Sequence, residues 1–314
     1  MIYWGINALN HGSSLSVFKN GKFISNKFDR TDELESQTIR QALDIGAPDR
    51  IFWYERPWIK KARQLRAGQW KRAFDLDVLP RTYLNRSRLH YAPVTYTPHH
   101  ASHAAAGYYT SPFDQCAIVV LDAIGEFECA TIWQAQHGKI KKIWSRTYPN
   151  SLGLFYSAFT HLIGLTPIQE EFKLQQLSEQ GDYTKYYNDV KNYFTGILDL
   201  NRNLHKGVVD WPYTITEEDK PHIAAAVQCI FEEQLSLIMT VVKSLTGADS
   251  LVYMGGCAMN SKANKLIVEP KFKYIWSLPN PGDPSSSIGA VLYHTQQRLA
   301  GVDFGVVKHI KINV

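Results

Sequence analysis

The sequence predicts an α/β fold of two lobes around a cleft, on three observations. Residues 2–54 read as strands, a hairpin, a helix and a strand. A pattern of the same kind restarts at Cys116. Two apolar runs end in groups suited to a ligand: Cys116–Leu121 runs into Asp122, and Leu251–Met254 into Gly255-Gly256, where backbone can lie against a flat molecule. Two such lobes describe the actin-like, sugar-kinase-like superfold, although no internal repeat shows in the letters.

The first lobe is expected over residues 1–114. Asn20-Gly21 is a hairpin signal between Leu15–Phe18 and Lys22–Ser25. The preceding polar turn, Asn10-His11-Gly12-Ser13-Ser14, suits an ordinary loop and equally the approach of a phosphate or carbonyl to backbone donors. Thr31 to Leu43 reads as a helix capped by Thr31 or Asp32, followed by a strand from Asp49 to Tyr54. Residues 56–90 interleave Trp58, Trp70, Phe74 and Tyr83 with ten basic residues against Asp75 and Asp77, a local excess of eight positive charges on a chain whose net charge is +5. A solvated helix explains the pattern. So does a phosphate-contacting surface, in which Arg56, Lys60, Lys61, Arg63, Arg66, Lys71 and Arg72 neutralise charge and Trp70 stacks on a base.

In Thr97-Pro98-His99-His100-Ala101-Ser102-His103-Ala104, proline and alanine favour a helix starting near Pro98. His99 and His103 then lie one turn apart on one face, the spacing of a metal-ligand pair and also of chance pairs in cores. Asp122 and Asp283 supply two further donors, so the four make an N2O2 set that suits iron, zinc or manganese.

The second lobe is expected over 115–314. After Cys116–Asp122 come Gly125-Glu126, a strand through Ala130–Trp133, a turn at Gly138 and a strand from Ile140. Ser151 opens an amphipathic helix to Gly164, residues 182–215 are irregular, and Glu217 to Leu245 is one long helical pattern. Another helix starts at Ser261.

At 314 residues, 45% hydrophobic and 20% charged, the chain can bury a large core. No apolar run approaches the roughly 20 residues of a membrane span and the first residues lack a signal pattern, so the expectation is a cytoplasmic protein with no membrane partner. Cys116, Cys129, Cys229 and Cys257 are widely spaced, which argues for reduced core thiols rather than disulfides or a thiolate metal site.

Several separated segments together resemble the O-carbamoyltransferases of nodulation-factor and antibiotic tailoring: His99-His100-Ala-Ser-His103, Asp122, Gly125-Glu126, Ser151-Leu-Gly153-Leu-Phe-Tyr156, Glu171-Phe-Lys173, Gly255-Gly256-Cys-Ala-Met-Asn260 and Gly282-Asp283. The resemblance implies iron held by His99, His103, Asp122 and Asp283, and an ATP-derived nucleotide in the interlobe cleft. Gly125, Glu126, Ser151, Gly153, Gly255, Gly256, Asn260 and Gly282 match its nucleotide-contacting segments. It implies that a carbamoyl-adenylate made from carbamoyl phosphate and ATP delivers its carbamoyl group to an alcohol, with His11 as general base and Lys173 neutralising the leaving AMP. Members of that family normally continue into a domain that makes the carbamoyl-adenylate. Here a separate protein would supply the activated donor, or the cleft would use carbamoyl phosphate directly. The family's His-Asp is here His11-Gly12, and its Glu-Glu-Arg-Phe run is replaced by Lys27-Phe28-Asp29-Arg30.

The function expected is O-carbamoyl transfer to a hydroxyl. With the basic segment, the acceptor becomes a hydroxymethyl-pyrimidine nucleotide or DNA. Transfer of a threonylcarbamoyl group to tRNA, and a non-catalytic nucleic-acid-binding module on the same scaffold, are the alternatives.

Overall fold

A computed structural model describes residues 1–299 and 301–304; the last ten residues of the expected second lobe lie outside the described part. The chain begins with β1 (Ile2–Asn7), β2 (Ser13–Lys19) and β3 (Lys22–Asp29), joined across the Asn20-Gly21 turn as an antiparallel meander. Then come α1 (Ser36–Ile45) and β4 (Arg50–Trp53). The helix starts five residues later than Thr31. Asp29 holds the segment before it, accepting from the Glu35 backbone amide at 2.9 Å and the Thr38 hydroxyl at 2.8 Å, and Thr31 bonds the Glu33 carbonyl locally.

The basic segment folds into α2 (Pro57–Arg66), α3 (Trp70–Phe74) and α4 (Pro80–Arg86), followed by β5 (Val94–Tyr96). Pro57 and Pro80 occupy first helical positions, where a missing amide hydrogen is harmless. Next is α5 (His99–Thr110), with Pro98 as its N-cap residue rather than its first helical one.

The second half repeats the plan with β6 (Cys116–Gly125), β7 (Glu128–Gln136) and β8 (Lys139–Thr147), again an antiparallel meander. α6 (Leu152–Leu162), capped by the Ser151 hydroxyl at 3.0 Å from the Leu154 amide, leads to α7 (Glu171–Leu177). The stretch read as irregular holds short elements: α8 (Tyr187–Lys191) and a small hairpin of β9 (Phe194–Gly196) and β10 (Asp199–Leu200). The chain then runs through α9 (Asp219–Thr246), β11 (Ser250–Met254), α10 (Ser261–Ala263), β12 (Tyr274–Trp276) and α11 (Ser286–Thr295).

The two large sheets have the same topology. One is ordered β3-β2-β1-β4-β5 and the other β8-β7-β6-β11-β12, with antiparallel meanders and parallel inner pairs at equivalent places. The internal repeat that the letters hide is explicit here, and the fold is the actin-like, sugar-kinase-like one. The expected boundary at 114/115 separates the sheets but not their helices. α5 follows the first sheet yet packs on β6 and β11, while α11 follows the second and packs on β1, β2 and β4. The two helices cross each other between the sheets.

α9 corrects the expectation about apolar length. Its 28 residues reach a mean hydropathy of 1.4 over a membrane-length window, although 61% of that window is buried inside the fold. Ile223, Val227, Ile230, Leu235 and Ile238 belong to the second-lobe core, and Glu232 and Glu233 interrupt the run. All four cysteines are free thiols, and Cys116, Cys129 and Cys257 are buried.

The α5–α11 crossing depends on Gly289, where a Cβ would fall onto the Ser102 carbonyl oxygen, a backbone atom that cannot swing aside. Gly289→Val is therefore expected to cost about 3 kcal/mol, the upper end of overpacking, read as a fall in the urea midpoint at unchanged slope.

Candidate metal centre and nucleotide cavity

The crossing helices bring the chemistry together. α5 projects His99 and His103 from successive turns, and Asp283 stands in the short turn that leads into α11. β6 does not stop at Asp122 as expected. It continues to Gly125, and the register with β7 slips between Leu121 and Gly125, so Asp122 sits in an irregular stretch that re-aims its side chain.

One ligating atom from each of the four residues lies within 4.8 Å of the others. His99 Nε2 is 3.2 Å from Asp122 Oδ2 and 3.3 Å from Asp283 Oδ1. His103 Nε2 is 3.3 Å from Asp283 Oδ1, and the two Nε2 atoms are 3.1 Å apart. Both imidazoles are buried, and the carboxylates are 15% and 14% exposed. Burial opposes a charge on His99, yet the Asp283 carboxylate and hydrogen bonds to Asp122 and Asp283 raise it well above an ordinary imidazole. Burial would lift Asp122, but the hydrogen bond from His99 and the charges of His103 and His99 together outweigh it and hold the carboxyl below its ordinary value. Two carboxylates that stay ionised and two imidazole nitrogens aimed at one point form a donor set that fits a divalent cation.

Neighbouring groups hold the ligands. Asn10 Nδ2 donates to Asp283 Oδ2 at 3.1 Å, and the Gly256 amide donates to Asp122 Oδ1 at 3.3 Å. Gly125 has no room for a side chain because a Cβ would strike the His99 ring. Glu55, buried at the end of β4, lies 4.0 Å from His99 Nδ1 and pairs with Lys60 at 2.7 Å. His100 faces away and bonds Thr131 at 2.9 Å.

Beside the cluster is a cavity of about 410 Å³. Asp122 belongs to both, and Gly153, Gly256 and Asn260 line the cavity. Missed were Tyr156, Glu171, Phe172, Gln175 and Met259, which also line it. The helical signal was present, but which face of α6 and α7 turns inward depends on α9, behind them. Ser151 is engaged with the Asp122 and Ala123 carbonyls, Gly255 abuts Leu121, and Gly282 precedes the Asp283 turn, near Met259.

Other assigned residues take different partners. Glu126, expected at the nucleotide, is buried and accepts from the Arg56 backbone amide at 2.7 Å and from its guanidinium, tying the lobes together. Lys61 caps carbonyls of Arg72 and Asp75, and buried Arg63 reaches Gln69 at 3.1 Å, which in turn contacts His205 at 2.6 Å. Arg66, Trp70, Lys71 and Arg72 remain on the surface, with Trp70 stacked on Phe74. Lys173 pairs with Glu170 outside the cavity lining, and His11 is exposed beside Asn10.

Comparison with known proteins adds the family. A family model described as "Carbamoyltransferase N-terminus" matches residues 63–292. An uncharacterized protein of Synechocystis sp. is 33% identical over 226 residues, covering 64% of this chain and 36% of that protein. The nodulation protein NolNO of Sinorhizobium fredii is 25% identical over 214 residues, covering 63% of this chain and 31% of its own. The matched stretch is thus about a third of these relatives' length. Among solved structures, full-length HypF in a phosphate- and nucleotide-bound form is similar in fold, with a TM-score of 0.50 and 13% identity over 94% of this chain and 55% of that one. With well over half its residues matched by the family model, the chain belongs to the carbamoyltransferase N-terminal family.

Proposed function

We propose that this chain carries out metal-assisted transfer of a carbamoyl group to an acceptor hydroxyl. The observation that carries the reading is the shared position of Asp122, which belongs to the four-donor cluster and to the wall of a nucleotide-sized cavity, with the Gly256 amide between the two. The cavity takes the adenylate end of carbamoyl-adenylate, or ATP, in line with the nucleotide in the HypF structure. His99, His103, Asp122 and Asp283 hold the cation, iron(II) by resemblance to the family. When bound, that ion supplies a Lewis acid for a carbonyl or phosphate oxygen.

The protein's own groups do the rest. The acceptor oxygen forms a bond to the carbamoyl carbon while the bond from that carbon to the phosphate oxygen breaks, and its electron pair leaves with the phosphate. The hydroxyl proton passes to the exposed His11 imidazole at the β1–β2 turn, next to the residue that anchors Asp283. Backbone amides near Gly256, rather than Lys173, then face the leaving phosphate. Arg66, Lys71 and Arg72 around the Trp70–Phe74 stack support a phosphate-bearing acceptor, such as a hydroxymethyl-pyrimidine nucleotide or DNA. The activated donor is carbamoyl-adenylate or carbamoyl phosphate.

Three outcomes test this. Incubation with a hydroxymethyl-pyrimidine nucleotide, or DNA containing it, and either carbamoyl phosphate plus ATP or preformed carbamoyl-adenylate should yield a carbamoylated nucleoside by mass. No such product from any alcohol would remove the reading. His103→Ala should weaken iron(II) or manganese(II) binding by more than about 100-fold in a chelator competition, a larger loss than that on changing a residue behind the ligands. Replacing Arg66, Lys71 and Arg72 together by glutamate should raise KM for a phosphate-bearing acceptor at least about 10-fold at low salt, with little change for a neutral alcohol.

A further inference from the structure

The first-lobe wall of the metal centre carries buried polar atoms that the fold leaves without partners. Gly5 marks the face: a Cβ there would strike the Ser287 carbonyl, so this side of β1 lies against α11, and Asn7 shares it two residues on. Ser14 stands opposite Asn7 on β2, two residues from Ser16, whose hydroxyl bonds Ser287 on α11. On β4, Phe52 lies opposite Gly5 and stacks on His294 of α11, which places Tyr54 on the same face. The Tyr54 ring is 5.2 Å from that of His99. At the end of the sheet, next to the cluster, Asn7, Ser14 and Tyr54 thus form one row.

All three are fully buried. Both polar atoms of the Asn7 amide and the Ser14 hydroxyl lack a hydrogen-bond partner, while the Tyr54 hydroxyl faces the Glu55 carboxylate, to which it donates. Groups so placed call for a ligand or water to complete them. Their chemistry limits what the ligand is. The charged groups acting on Tyr54 are the carboxylates of Glu55, Asp283 and Asp122, a setting that disfavours a bare phosphate. Asn7 offers a donor and an acceptor side by side, the complement of a neutral amide.

We infer that Asn7, Ser14 and Tyr54 form the subsite for the uncharged carbamoyl end of the donor, the –CO–NH2 group, and select it over an acyl group lacking the amino hydrogens. Because the row is closed to solvent, the lobes must open to admit the donor. The inference rests on the carbamoyl-transfer reading and specifies where that reading's selectivity lies.

The test compares calorimetric binding of carbamoyl phosphate and acetyl phosphate, in which a methyl group replaces the amino group, to the full metal-loaded chain. Wild type should prefer carbamoyl phosphate at least about 10-fold, because a site built to bond an NH rejects the analogue without one. Asn7→Leu should reduce that preference to within about 3-fold while the folded state keeps its melting temperature, since leucine fills similar volume and removes unpaired groups. Tyr54→Phe should lower the preference by a smaller factor, and carries the test should Asn7→Leu fail to fold. Undiminished preference in folded variants overturns the inference, as does a wild type that binds both phosphates equally; either leaves the carbamoyl reading standing. A wild type that binds neither of these phosphates nor preformed carbamoyl-adenylate removes both.

Discussion

The crossing of α5 and α11 is the contact on which the rest of the structure depends. The two helices each leave one sheet and pack on the other, so their interface is where the halves become one body. Close approach is possible because Gly289 lets the α11 backbone rest on that of α5 at Ser102. That closeness sets the chemistry: His99 and His103 at the start of α5 and Asp283 just before α11 are 184 residues or less apart in the chain, yet their ligating atoms converge. A helix crossing that opened by the width of a methyl group would separate the imidazoles from the carboxylate.

The cluster gathers two carboxylates and two imidazoles away from bulk water, and such groups are costly to bury unless they balance one another or a cation does so. The surrounding residues are arranged accordingly. Asn10 and the Gly256 amide each donate to one carboxylate, leaving its other oxygen facing the histidines. Glu55 lies near the far nitrogen of His99, with Lys60 balancing its charge. The same logic explains why much of the basic segment is not a free binding surface. Arg56, Lys60, Lys61 and Arg63 are engaged with Glu126, Glu55, backbone carbonyls and Gln69, and they fasten the segment to both lobes. Left on the surface beside the stacked Trp70 and Phe74 rings are Arg66, Lys71 and Arg72, with Arg81, Arg86 and Arg88 further along the segment.

Much of the fold was legible because its signals are local. Asn20-Gly21 marks its hairpin, Ser151 opens α6, and the apolar period of 217–245 describes α9. The misplaced start of α1 and the overextended reading of free charge have one cause: a side chain's partner, such as Asp29 for Thr38 or Glu126 for Arg56, lies in another segment. The repeat of the two sheets was illegible for a related reason, since topology is conserved by strand order and not by residue identity.

By itself the sequence determined the longer strands and helices, the α/β class and the four candidate ligands, because periodicity, turn chemistry and i,i+4 spacing are properties of short stretches. Only the tertiary structure decided that those ligands share one point and that Asp122 also borders the cavity. It alone also decided which cations remain exposed and that Asn7, Ser14 and Tyr54 stand in one row, the first two without partners. Each of these is a relation between residues distant in the chain. It is set by how closely two helices and two sheets can approach, and no local pattern of residues encodes that distance.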